Sequence, residues 1–169
     1  MIDWLQQSCD PYVVIILLTL MPALELRASI PFGILLAHKP WWSVFAVAVA
    51  TNIVLGPILY LLLDRCLHLA LRVRLLDRIW QRVIVRNQAK IHAKIERYGV
   101  LGLGLFIGVP LPGSGVYSGA AGGYLLGMGH RDFLKATVIG VVIAGVVVLL
   151  FTLFFSESLP LLRRLFIKT

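Results

Sequence analysis

The stretch Tyr12–Ala37, YVVIILLTLMPALELRASIPFGILLA, decides how the chain is read. Two apolar runs, Tyr12–Leu24 and Ala28–Ala37, flank the charged triplet Glu25-Leu26-Arg27. Each run is about half of the roughly 20 residues that a helix needs to cross a hydrocarbon core. Pro22 and Pro31 bracket the charges. Proline removes a backbone donor and disfavours helix at the residue before it, so helix is not expected to run cleanly between them. Non-helical backbone survives at membrane depth only where protein buries it or where it lines a watery cavity. The stretch predicts a broken helix or re-entrant hairpin facing inward.

The same pattern returns later. Val100–Val109 and Val116–Met128 flank Pro110-Leu111-Pro112-Gly113-Ser114-Gly115, and each broken pair precedes an apolar run long enough to span, Trp41–Leu63 and Phe133–Phe155. The order is broken pair, span, basic segment, broken pair, span, a unit of roughly 90 residues repeated once. One hairpin plus one span crosses the membrane once, so the second copy enters from the opposite side and the two breaks are expected near the midplane, an inverted repeat. The expected fold is therefore all-α integral membrane, with two helical re-entrant hairpins and two transmembrane helices. The whole chain, 1–169, forms one membrane domain: repeat one 12–63, connector 64–98, repeat two 99–155 and an interfacial tail 156–169.

Composition agrees. The chain is 59% hydrophobic and 14% charged, with mean hydropathy +0.90, too oily and too lightly charged for a soluble domain. Its 16 Lys and Arg outnumber 8 Asp and Glu, and in a membrane protein that excess fixes cytoplasmic loops before it implies nucleic acid. Most of it lies in 64–98, where a basic residue recurs every fourth position from Arg74 to Lys94 against an apolar side of Leu76, Ile79, Val83, Ile91 and Ile95. This predicts a cytoplasmic, surface-lying amphipathic helix, either a connector resting on head groups or a binder of anionic lipid. No cleavable signal is expected, since the first apolar run lacks a basic n-region and leads into Glu25-Leu26-Arg27. Cys9 and Cys66 are expected as free thiols.

Over topology the signals oppose each other. Hairpins put both termini outside, with Arg163, Arg164 and Lys168 on the disfavoured side; crossing broken helices put both inside. Segment length and repeat parity favour hairpins.

Glu25 and Arg27 are the most informative residues. Each ionised side chain at mid-membrane costs roughly 2.5–3.5 kcal/mol on insertion scales, and such residues are functional by default. Two readings stand: they neutralise each other across an extended segment and pin the break, or Arg27 meets an anionic head group while Glu25 orients it or takes up a proton. In the second break, prolines fix φ and glycines permit positive φ. Ser114 is the expected N-cap of the following helix, whose free amides make an anion site; a turn that binds nothing explains the same residues. Asn52, near the middle of the first span and followed by Gly56-Pro57, either lines the site or glues helices. The ladders Gly115, Gly119, Gly123, Gly127 and Ala136, Gly140, Ala144 are read as close-packing faces. His38, His68, His92 and His130 make no metal cluster at ligand spacing, and no histidine inside a span serves Ser114 as a base. Neither catalysis, a metal nor another cofactor is expected.

Glu25-Leu26-Arg27-Ala28-Ser29-Ile30-Pro31-Phe32-Gly33, followed by Pro110-Leu111-Pro112-Gly113-Ser114-Gly115-Val116-Tyr117-Ser118-Gly119, resembles the small multidrug export protein family of prokaryotic membrane proteins. That family is similar to the DedA superfamily, whose members have facing re-entrant hairpins and include lipid translocases and carriers of undecaprenyl phosphate. Glu25, Arg27, Pro31, Pro112 and Gly113 match that pattern. Ala28-Ser29 replaces the expected Gly-Ala, and the arginines of the second DedA hairpin are missing. The resemblance implies a multi-pass protein of the prokaryotic inner membrane.

The candidate substrate- or ion-binding set is Glu25, Arg27, Pro31, Gly33, Asn52, Pro110, Pro112, Gly113, Ser114, Gly115 and Tyr117. The first expectation is a transporter or flippase of an anionic amphiphile such as a polyprenyl phosphate, held by Arg27 and the Pro112–Gly115 turn. The second is a proton-coupled exporter of lipophilic cations with Glu25 as exchange site. The third is a structural membrane protein that transports nothing. Expected partners are membrane lipid or an amphiphilic small molecule, with protons or Na+, and no nucleic acid; the glycine faces are compatible with a homodimer.

Overall fold

The structure, a computed structural model, describes residues 10–22, 24–70, 99–111 and 113–166. Every element among them is helical: α1 Pro11–Leu20, α2 Glu25–Pro31 continued by a π-helical segment Phe32–Leu36, α3 Trp41–Ala70, α4 Gly99–Gly108, α5 Val116–Leu125 and α6 His130–Phe166. Most of the expected basic connector, from 71 to 98, lies outside the described residues, as does Pro112.

α1 starts where the sequence provides both a cap and a proline at its first helical position. The Asp10 carboxylate accepts the Tyr12 N–H at 2.8 Å, and Pro11 needs no donor there. The helix stops at Leu20. The Met21 carbonyl then accepts the N–H groups of Leu24 and Glu25, both at 3.2 Å, closing a tight turn that contains Pro22. α2 leaves this turn and returns along α1, so that a Cβ placed on Gly33 would stand 3.0 Å from Ile15 Cδ1.

The break is shorter than the prolines imply, and Glu25 and Arg27 lie in helix instead of extended backbone. Pro31 lies within the helical run instead of ending it. Its missing N–H removes one bond; the Phe32 N–H bonds the carbonyls of Ala28 and Ser29, four and three residues back, and the run then widens, with Ala37 N–H bonding Phe32 O five residues back at 2.9 Å.

α4 and α5 fold back in the same way. A Cβ on Gly119 would stand 2.5 Å from Ile107 Cγ1, and one on Gly123 would stand 3.0 Å from Leu103 Cδ2. α3 over Trp41–Arg65 and α6 over His130–Ser156 are long and apolar enough to cross a membrane. α3 continues unbroken through Pro57, and α6 carries helix to Phe166, through most of the segment expected as a separate tail.

The chain divides into two compact units. One contains Met1–Asn52 and Ile143–Thr169; the other contains Ile53–Val142. The first therefore combines the α1–α2 fold-back with the start of α3 and the later part of α6. The second combines the α4–α5 fold-back with the end of α3 and the start of α6.

Small residues permit the close approaches inside each unit. In the second, a Cβ on Gly140 would meet the Gly104 carbonyl oxygen and Ile107 Cβ, both at 2.6 Å, and one on Gly56 would meet Thr137 Cγ2 at 2.6 Å. In the first, a Cβ on Gly33 would meet Val44 Cγ1 at 2.5 Å, and one on Gly145 would meet Val49 Cγ2 at 2.9 Å. Gly119, Gly123 and Gly140 thus pack as their spacing predicts. Gly115 and Gly127 instead flank α5 with φ of 121° and 70°.

Candidate functional site

In the first unit, Glu25 opens α2 with φ 43°, a left-handed conformation that non-glycine residues rarely hold. It is 7% exposed, and Arg27 two residues on is half-buried. A strained backbone and a buried carboxylate at one position each oppose folding, and strain of this kind concentrates at functional sites.

One helical turn beyond Glu25 on the same face of α2 is Ser29, fully buried, with a hydroxyl that has no hydrogen-bond partner. Gly33 follows one further turn along and packs against Val44 of α3. On α3, steps of four residues lead from Val44 through Ala48 to Asn52, all buried. Asn52 is 1% exposed, and neither its Oδ1 nor its Nδ2 has a hydrogen-bond partner.

These unpartnered atoms contrast with several other hydroxyls among the described residues. Thr19, Thr51 and Thr152 each donate to the carbonyl four residues back, at 2.8, 2.7 and 2.7 Å, the usual resort of a hydroxyl in an apolar helix. Ser43 donates to Pro40 O at 2.8 Å and accepts or donates with Tyr12 Oη at 3.1 Å. Ser29 and, in the second unit, Thr137 make no such bond. Of the two readings of Asn52, gluing helices through its amide is not what the structure shows among the described residues, because both amide atoms lack partners.

The second fold-back presents a different chemistry. Its turn is closed by Ser114, whose hydroxyl accepts the Leu111 N–H at 3.1 Å and lies within bonding reach of the carbonyls of Val109 and Leu111. Ser114 is therefore not the N-cap of α5. That position belongs to Gly115, without a side-chain cap, because the backbone there takes φ 121°, which glycine holds freely. Gly113 adopts φ 87° and is exposed, Pro110 is half-buried, and Tyr117 lies half-buried in the first turn of α5. An open groove of about 510 Å³ beside this turn is lined mainly by Leu105, Phe106, Val109 and Leu111, with Gly102, Gly113 and Ser114.

A polar knot in the second unit went unread in the sequence. Tyr60 donates its hydroxyl to the Met128 carbonyl, stacks on Phe133 with centroids 4.3 Å apart, and takes His130 edge-on at 5.1 Å. Tyr124 donates to Asp64 Oδ1 at 3.2 Å. Tyr60 and Asp64 are one turn apart on α3, a spacing that signals a shared face but names no partner.

Residues 25–147 match the sequence model of a family described as putative small multi-drug export proteins. The chain belongs to this family. The match begins at Glu25, where the first fold-back turn ends, and includes the second fold-back turn and most of the apolar part of α6. No curated protein and no solved structure matches the chain. Family membership, with two helices apolar enough to span, makes this a membrane protein of an export family.

Proposed function

We propose that the chain is a proton-coupled exporter of small amphipathic cations, in which the Glu25 carboxylate exchanges a proton for substrate. The observation that carries this reading is the pair of residues opening the two returning helices. Glu25 at φ 43° begins α2, and Gly115 at φ 121° caps α5. The second fold-back uses the residue the backbone favours. The first keeps a glutamate despite the strain and despite burial, and we read its carboxylate as the group retained for exchange.

Cation is favoured over anion by three features. Glu25 is more deeply buried than Arg27, the Ser114 hydroxyl is occupied with its own turn, and the groove beside that turn is lined mainly by apolar side chains. The anionic reading retains Arg27 as its support and becomes the other arm of the test.

An inverted repeat is part of the proposal. Gly33 against Val44 and Gly123 against Phe133 are equivalent contacts about 90 residues apart, as are Gly56 against Thr137 and Gly145 against Phe45 and Val49. We read both fold-backs as re-entrant, the protein as multi-pass in a prokaryotic inner membrane, and the 64–98 segment as cytoplasmic. Kinship with the DedA superfamily is proposed on Glu25, Arg27, Pro31, Pro112 and Gly113.

Proteoliposomes with an imposed pH gradient test the reading, using the fluorescent amine dansylcadaverine, its N-trimethyl analogue and undecaprenyl phosphate. We expect wild-type protein and Arg27→Gln to drive gradient-dependent movement of a cationic probe, and Glu25→Gln to fall to the protein-free level. Movement of undecaprenyl phosphate that requires Arg27 and survives Glu25→Gln would overturn the cation reading in favour of the anion carrier.

A further inference from the structure

The packing of α2 on α3 within the first unit sets a register. From the Gly33–Val44 contact, α2 and α3 diverge in sequence in opposite directions. Four residues away on each helix are Ser29 and Ala48; four more reach Glu25 and Asn52. All four are buried. At about 1.5 Å per residue where both are α-helical, these steps advance the two faces by similar distances along the pair. The chain thus directs a carboxylate and a primary amide to one level of the pair, with the Ser29 hydroxyl one turn away on the same side of α2 as Glu25.

The polar inventory of that level is unbalanced. Ser29 Oγ and both polar atoms of Asn52 have no hydrogen-bond partner, although each is more than nine-tenths buried. Buried polar groups are otherwise almost always satisfied, and an exception calls for an explanation such as a ligand. Ser29 also forgoes the carbonyl bonds that Thr19, Thr51 and Thr152 make in equivalent apolar helices.

We infer that Glu25, Ser29 and Asn52 form a recognition pocket for the ammonium group of a primary or secondary amine. The inference rests on the export reading above and specifies its substrate. A primary ammonium carries three N–H donors, and the pocket offers three acceptors: the Glu25 carboxylate, Ser29 Oγ and Asn52 Oδ1. Charge and hydrogen bonding are matched together, so the donors lost from water on entry are replaced one for one. Asn52 Nδ2 remains to donate to an oxygen on the substrate. A quaternary ammonium carries the same charge and no N–H. It leaves Ser29 and Asn52 without hydrogen-bond partners and is the poorer ligand.

Glu25 is the exchange site of the export reading, so the discriminating variants are Ser29→Ala and Asn52→Leu. Purified full-length protein in detergent is titrated with dansylcadaverine and with its N-trimethyl analogue, which share one apolar group and one charge. We expect wild-type protein to bind the primary amine at least tenfold more tightly. Each variant should bring the two affinities to within about threefold by weakening the amine alone. A melting temperature recorded for each variant confirms that it is folded, and Ser29→Ala, the smaller change, stands in should Asn52→Leu misfold. Equal or tighter wild-type binding of the trimethyl form, a preference that survives both variants, or parallel loss of both probes overturns the ammonium pocket. Glu25-dependent, gradient-driven flux of the trimethyl probe alongside any of these results leaves the export reading standing. If neither probe binds or moves, both are overturned.

Discussion

Glu25 and Gly115 stand at the starts of the two returning helices with φ of 43° and 121°, Glu25 as first helical residue and Gly115 as N-cap, so a positive φ is held by a glutamate in one half and by a glycine in the other. Placing a non-glycine residue in that region costs on the order of 1–2 kcal/mol, and burying its carboxylate adds to the opposition. Glu25→Gly relieves both while giving up the side chain's own interactions. We expect its melting temperature in detergent to lie within a few degrees of wild type and its transport to be absent. A variant that unfolds would assign Glu25 to structure instead.

Asn52→Leu replaces a buried amide with an apolar side chain of the same branching and number of heavy atoms. Each unsatisfied buried polar group costs about 1–3 kcal/mol, and Asn52 carries two such atoms. The variant is expected to melt higher than wild type and to bind amines more weakly. A lowered melting temperature would mean that the amide contributes to the fold.

The glycines divide into tight and open positions. Gly140→Ala drives a methyl group against the Gly104 carbonyl oxygen and Ile107 Cβ, neither at the free end of a flexible side chain; a loss of about 1–3 kcal/mol is expected. Gly102→Ala meets nothing within 4 Å on its helix and is expected to gain up to about 1 kcal/mol from helix propensity. Thermal melts of the two variants check the contrast.

Tyr60→Phe leaves the Met128 carbonyl without its phenol donor while keeping the ring against Phe133. A cost of about 1–2 kcal/mol follows from the buried acceptor. Tyr124→Phe is expected to cost less, because the Tyr124–Asp64 bond is 3.2 Å long and only partly buried.

How much of this was legible in the sequence depended on the physics each residue obeys. The half-length apolar runs announced the fold-backs, because hydropathy and span length act over many residues at once. Pro31 misled, since one missing N–H is absorbed locally by a π-helical segment that no composition signals. Ser114 misled for a related reason: a neighbouring glycine was free to take φ 121° and cap the helix, releasing the serine hydroxyl to close the turn. Glu25 stands out in the sequence by its charge alone, but its backbone strain is a property of the folded turn. The significance of Ser29 and Asn52 depends on bonds they do not make, visible only once the neighbours are placed. The Tyr60–Met128 contact joins residues 68 apart, beyond any local pattern.

The central claim, that the Glu25 carboxylate trades a proton for a cation, is tested most directly by proton release on binding. Dansylcadaverine is added to purified protein in lightly buffered detergent solution, with the pH followed by an indicator dye. The account predicts that wild-type protein releases close to one proton per bound probe and that Glu25→Gln releases none. Binding without proton release in the wild type, or equal release from Glu25→Gln, would contradict it.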